Sequence, residues 1–342
     1  MAFYDRLFDT LGLRDWCDAG GESGLMSMAD LLAKTGNDAD SGPAFPFPSL
    51  DNLNKACDNF PQSREFTTWV EEAFLAVKDP LKVVLDPLTQ PLSWMLEAAL
   101  FTFGTIPWWI LLPALFILTW YVSRSIGVTF FVVISMLLIG LIDHLDATVQ
   151  TLSIIFVCTG LSVLMGVPIG IAMSKSNTLQ RMTIPILDLL QTLPSFVYLI
   201  PLIFLFSVTE PKLYGIAIIL YAIVPVIRLT DLGIRLVDKD VIEAADAFGM
   251  SSRQKLWGVE LPLALPNIMA GINQTIMMSL AMVVIASLVS APGLGVLVLR
   301  GIRNLELGVG LVAGLGIVLI AVILDRTSKA ALARVNVSHK SQ

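Results

Sequence analysis

The chain has 342 residues, 55% hydrophobic and 15% charged, with a net charge of −6 and a mean hydropathy of +0.77. Soluble domains carry about 25% charged residues, so this composition excludes an ordinary soluble globule and points to a bilayer protein. No basic stripe exists, which excludes a nucleic-acid partner. The charge is uneven. Residues 1–100 hold seven Lys/Arg and sixteen Asp/Glu, a net −9, and the remainder holds fifteen and twelve, a net +3.

The first sixteen residues, MAFYDRLFDTLGLRDW, lack the basic start and unbroken apolar core of a signal peptide. Phe3, Leu7 and Leu11 instead fall on one face of a short surface helix. Residues 1–63 read as an acidic, irregular tail, rich from residue 20 onward in Gly, Asp, Asn, Pro and Ser. Cys17 and Cys57 lie in it, and a disulfide between them requires a periplasmic tail and compatible geometry. Cys158 lies in an apolar run and reads as a small packing residue. Residues 64–97 carry Phe66, Trp69, Val70, Ala73, Phe74 and Val77 at helical spacing. Pro80, Pro87 and Pro91 are expected to cut this segment into short amphipathic helices on a membrane surface or another subunit.

Seven apolar runs follow, at 98–123, 125–142, 147–174, 189–209, 213–227, 261–299 and 307–324. Crossing the hydrocarbon core takes about 20 helical residues. The prediction is an all-α polytopic membrane protein with about seven transmembrane helices, within a membrane domain at 98–330. The sixth span is expected to start near Ile268, after Pro262 and Pro266. Alternate connections are basic: Arg124; Lys175 and Arg181; Arg228, Arg235, Lys239, Arg253 and Lys255; then Arg326, Lys329, Arg334 and Lys340. The bias puts these in the cytoplasm. The long loop 228–267 and the C-terminal tail 331–342 are then cytoplasmic, and the acidic tail is outside.

Several chemistries are missing. There are two histidines, His144 and His339, and no Gly-Lys dipeptide. That leaves neither a zinc-site pattern nor a phosphate loop, and no catalytic set. The glycines of GVGLVAG, Gly308, Gly310 and Gly314, read as close helix packing rather than a nucleotide site. Asp188 and Arg228 read as interfacial charges, and mid-membrane ions of a coupled carrier are not seen.

The cytoplasmic loop holds EAADAFGMSSRQKLWGVELP, residues 243–262. It contains E-A-A, three residues, Gly, nine residues, a branched aliphatic, one residue, then Leu-Pro: Glu243, Ala244, Ala245, Gly249, Val259, Leu261 and Pro262, with Phe248 beside the glycine. This resembles the loop by which permease subunits of binding-protein-dependent ABC importers engage their ATPase. The small alanines keep a helix slim, Glu243 suits a helix N-terminus, and Gly249 suits its end. Around it, LDLLQTLPSFVYLIPL (187–202), IVPVIRLTDLGI (223–234), LPLALPNIMAGINQT (261–275) and SLAMVVIASLVSAPGLGVLVLRGI (279–302) resemble permeases of the glycine betaine/proline betaine group. That group also takes choline, carnitine and trimethylamine N-oxide.

The resemblance covers about 90–330. It implies the type I ABC importer permease fold in a bacterial inner membrane, and a homodimer working by alternating access. It also implies two ATP-binding subunits that carry the ATP and Mg, and a periplasmic substrate-binding protein. The cargo implied is an amine osmolyte or nutrient, with no cofactor in this chain. A type I permease for another small solute such as an amino acid, a stand-alone channel or carrier, and a membrane-embedded enzyme are the alternatives. Polar and aromatic residues suggest a path: Gln191, Thr192, Phe196 and Tyr198 in the fourth run, Tyr221 in the fifth, and Asn273, Gln274 and Ser279 in the sixth. Aromatic faces suit a trimethylammonium group, although packing is their commoner use.

Overall fold

The computed structural model describes residues 9–18, Cys57 and 63–340. The expected surface helix through Phe3 and Leu7, and most of the tail at 20–63, lie outside these residues. Two units are distinguished, up to Leu81 and from Lys82 onward. The first contains helix α1 (Leu13–Asp18) and a disulfide joining Cys17 to Cys57, both buried.

Helix α2 runs unbroken from Ser63 to Thr105. The short pieces expected from Pro80, Pro87 and Pro91 are therefore one helix. Each proline removes a single backbone hydrogen bond, while its fixed φ is itself helical. At about 100° per residue, spacings of seven and four keep all three within about 40° of one another around the axis. The missing bonds thus fall on one side. Chain direction changes only at Ile106–Pro107, by 111° into α3 (Trp108–Ser123). Residues 98–105, expected within the first span, belong to α2 instead.

Next come α4 (Ile126–Leu141), α5 (Leu145–Lys175), α6 (Asn177–Thr192), α7 (Leu199–Leu205) and α8 (Pro211–Arg235). Then follow α9 (Lys239–Ala247), α10 (Ser252–Lys255), α11 (Leu261–Ala286), α12 (Leu294–Arg303) and α13 (Leu307–Lys340). Among the described residues, four helical stretches are long and apolar enough to cross a membrane, those built on α5, α8, α11 and α13. Six qualify if the bent pairs α2–α3 and α6–α7 each count once, and α4, with 16 residues, is a shorter apolar helix.

Two expected spans differ in shape. The run 189–209 is broken by a 105° bend between α6 and the segment Ser195–Leu205. Pro194 sits at the break, because the residue before a proline avoids helical backbone; Leu193 is extended there, at φ −65° and ψ 133°. The run 261–299 is two helices. After Ala286 a tight turn leads to Ser290 at φ +72° and Gly293 at φ +119°, and α12 starts anew. Thr151 of α5 accepts a 3.0 Å hydrogen bond from the Leu294 N–H, capping α12 from another helix. An uncharged run sets hydrophobicity, not helix continuity.

The core of the second unit is α8 against α5, α6 and α11, built from Met173, Leu187, Val224, Val226 and Ile227 on one side and Ile234, Ala264 and Ile268 on the other. Gly170 of α5 permits the contact. A Cβ there would sit 2.7 Å from the Ile227 carbonyl oxygen and 2.6 Å from Thr230 Cβ. A backbone oxygen cannot rotate aside. Gly170→Val is expected to cost about 2–3 kcal/mol by overpacking, seen as an earlier thermal unfolding midpoint in detergent. Gly160→Ala, on the same helix with nothing within 4 Å, should leave the midpoint in place; equal shifts would refute the packing argument. Of the three glycines in GVGLVAG, Gly310 alone meets a neighbour, the backbone of Gly301 in α12; Gly308 and Gly314 face open space. The close-packing expectation thus holds for one of the three.

Lys212 anchors the N-terminal end of α8. It is 3% exposed. Its Nζ lies 2.7 Å from Asp86 of α2 and 2.9 Å from Glu210, with Gln90 at 3.4 Å. The Phe206 ring centroid is 5.1 Å away, and the Lys212 N–H donates to Ser93 Oγ at 3.2 Å.

Candidate functional site

The segment 239–250, which carries the E-A-A and Gly positions of the motif, is short, exposed and closed at both ends. Asp238 caps α9, its side chain accepting from the Asp240 N–H at 3.0 Å. At the other end, the Gly249 N–H donates to the Asp246 carbonyl at 2.9 Å and the Met250 N–H to the Ala245 carbonyl at 3.1 Å. That pair of bonds is a Schellman motif, with glycine in the left-handed position at φ +73°. Glu243, Ala244 and Ala247 are exposed, and Phe248 is 88% exposed. Ala245 alone on α9 is buried.

The rest of the motif ties this helix to the membrane bundle. Lys255 pairs with Asp246 at 2.6 Å, and Ser251 and Gln254 form a capping box at the start of α10. Residues Leu256–Glu260 make one π-helical turn, closed by Leu261 N–H donating to the Leu256 carbonyl. Pro262 has no N–H, so the Gly258 carbonyl lacks its usual donor and the turn widens. Val259, Leu261 and Pro262 are half-buried at this turn. Glu260, buried, pairs with Lys175 at the end of α5. Sequence reading missed Glu260 because its partner is 85 positions away. The exposed Trp257 beside it was also missed.

The expected pathway residues divide. Gln191 and Thr192 are exposed on the last turn of α6, and Phe196 is exposed in the turn after the bend. Tyr221 is half-buried on α8, and Gln274 is exposed on α11. The other three have partners inside the fold. Tyr198 is buried, and its hydroxyl donates to the Leu190 carbonyl across the bend. Ser279 bonds Thr159 of α5 at 3.0 Å, both buried. Asn273 accepts from Ser328 of α13, so its amide oxygen needs no wet cavity.

Charges at the α5, α6 and α8 ends form a second cluster. Asp231 accepts from Gln180 at 2.7 Å and from Arg235 at 2.8 Å. Arg235 also donates to Asn177 and to the Met173 carbonyl, each at 2.8 Å. Asp188 of α6 pairs with Arg228 of α8. Arg228 is followed by seven further residues of α8, and Asp188 lies four residues before the end of α6.

A helical bundle of this kind, with a capped, exposed helix between two long apolar helices, defines a polytopic membrane protein. Its fold is similar to a chain of the inward-facing MetNI methionine ABC transporter, at a TM-score of 0.51 and 18% identity, over 56% of this chain and 95% of that one. Residues 162–336 match the binding-protein-dependent transport system inner membrane components, and the chain belongs to that family. It is 42% identical to the glycine betaine transport system permease protein OpuAB of Bacillus subtilis, over 71% of this chain and 86% of that protein. It is 36% identical to the glycine betaine/proline betaine permease ProW of Escherichia coli, over 86% and 83%. A trimethylamine N-oxide permease, TmoV of Ruegeria pomeroyi, is 34% identical over 78% of this chain and 42% of its own length. Family membership makes this a multi-pass inner membrane permease and a transport subunit rather than an enzyme. It also implies ATP-binding and substrate-binding partners.

Proposed function

We propose that this chain, as a homodimer with two ATP-binding subunits and a periplasmic binding protein, imports a quaternary or methylated amine. Glycine betaine, proline betaine, choline, carnitine and trimethylamine N-oxide are the cargo class. The carrying observation is the exposed, Schellman-capped helix α9, in a chain whose similar relatives are named for these amines. ATP and Mg bind on the partner subunit. There, closure of the ATPases pushes on Glu243, Ala244, Ala245, Phe248 and Gly249, and the turn at Val259, Leu261 and Pro262 passes the motion to α11 and, through Glu260 and Lys175, to α5.

Loop charge supports a cytoplasmic segment 228–267 and C-terminus, with residues 1–63 periplasmic. The Cys17–Cys57 disulfide agrees, since disulfides persist in oxidising compartments. Residues 64–97 lie along the interface, and 98–330 form the transport domain. The path runs past Gln191, Thr192, Phe196, Tyr221 and Gln274, while Tyr198, Asn273 and Ser279 hold its walls.

Proteoliposomes holding this chain, its ATPase and its binding protein should accumulate labelled glycine betaine only with ATP inside and binding protein outside. Equal flux without ATP would instead establish a stand-alone channel or carrier.

A further inference from the structure

Two charged clusters lie within eight residues on α8, and they differ in kind. Asp231 and Arg235 are tied to each other and to three other groups, so their role is to hold helix ends together. Asp188 and Arg228 have only each other for side-chain hydrogen bonds among the described residues. Their side chains are 54% and 37% exposed, and Arg228 Nε is buried with no partner. The guanidinium therefore keeps unused donors, and the carboxylate keeps an open face.

An exposed charge pair beside a span faces water or protein rather than acyl chains. Gln191 and Thr192 stand three and four residues beyond Asp188, so they share its face of α6, and both are exposed. Tyr221 stands seven residues before Arg228, on the same stripe of α8. These faces of α6 and α8, joined by the Asp188–Arg228 pair, thus carry an anion, a cation, an amide, a hydroxyl and an aromatic ring.

We propose that Asp188 and Arg228 form a zwitterion subsite on the translocation pathway, Arg228 taking a betaine's carboxylate and Asp188 facing its quaternary ammonium. The proposal rests on the importer reading above. A guanidinium offers paired donors to a carboxylate. A quaternary ammonium donates no hydrogen bond, so a bare carboxylate and an aromatic face are what can hold it. The ion pair and the zwitterion are complementary in charge. Passing cargo can therefore part the pair without leaving either charge alone, which an uncharged solute could not do.

The test is the number of ATP molecules hydrolysed per glycine betaine imported, in proteoliposomes with the ATPase and binding protein. For Asp188→Asn combined with Arg228→Gln, betaine uptake should fall about tenfold, the size of one lost charge-assisted interaction. ATP hydrolysed per betaine should rise by a similar factor, because cycles proceed without cargo. Asp188→Glu, which keeps the charge, should restore most of the uptake. Unchanged uptake overturns the subsite. So does a fall in uptake with the stoichiometry intact, which marks a structural pair. A native complex that imports no betaine at all overturns the function reading itself, and the subsite with it.

Discussion

Gly249→Asp is expected to abolish ATP-driven uptake while the chain inserts into the membrane in normal amount. Gly249 has φ +73° and ends α9 by the bonds from Gly249 and Met250. A side chain in the left-handed region costs about 1–2 kcal/mol, and aspartate tolerates it better than most. A Cβ at this position meets nothing within 4 Å, so folding should survive. What changes is the surface beside Phe248, where a new carboxylate must be desolvated on docking. An unpaired charge buried at an interface costs about 3 kcal/mol or more, on the order of a hundredfold in affinity. Uptake, membrane immunoblotting and ATPase assays together check this. Glu243→Lys, an exposed reversal on the same helix, should behave alike. Wild-type uptake in either variant would mean that this loop does not receive the ATPase.

The capped helix α9 and its glycine end were legible because all of their determinants are local. The cap, the glycine and Pro262 lie within twenty-five residues, and each acts on its own backbone. Six of the seven apolar runs were legible for the same reason, since each corresponds to one helix or bent pair; the run 261–299 is two helices. Pathway assignment was harder. Ser279 and Asn273 are polar residues in an apolar run, and sequence cannot say that Thr159 and Ser328 already satisfy them. Asp188 and Arg228 stand beside the ends of uncharged runs, and sequence cannot say that they pair with each other across 40 positions. The prolines of α2 misled: their number suggested breaks, whereas their common face preserves the helix.

Lys212 is where sequence said least and where a substitution should still cost much stability. Its partner Asp86 is 126 positions away, so no local pattern reveals the pair. In the fold the lysine side chain is 4% exposed and each carboxylate 36%. Breaking a fully buried ion pair costs 3–5 kcal/mol. Water reaches both carboxylates here, so Lys212→Met should cost about 2–3 kcal/mol. Most of that cost is two carboxylates left facing each other, since the methionine stem still fills the space beside Phe206. Adding Asp86→Asn and Glu210→Gln to Lys212→Met should therefore recover much of the lost thermal stability in detergent. Lys212→Met with only Asp86→Asn should recover part of it. If the triple substitution is no more stable than Lys212→Met alone, charge is not what Lys212 contributes, and packing against Phe206 and Ser93 is. In either case α2 should loosen first, read as faster amide exchange over residues 86–96. Only the charge explanation predicts that the exchange slows again when the two carboxylates are neutralised.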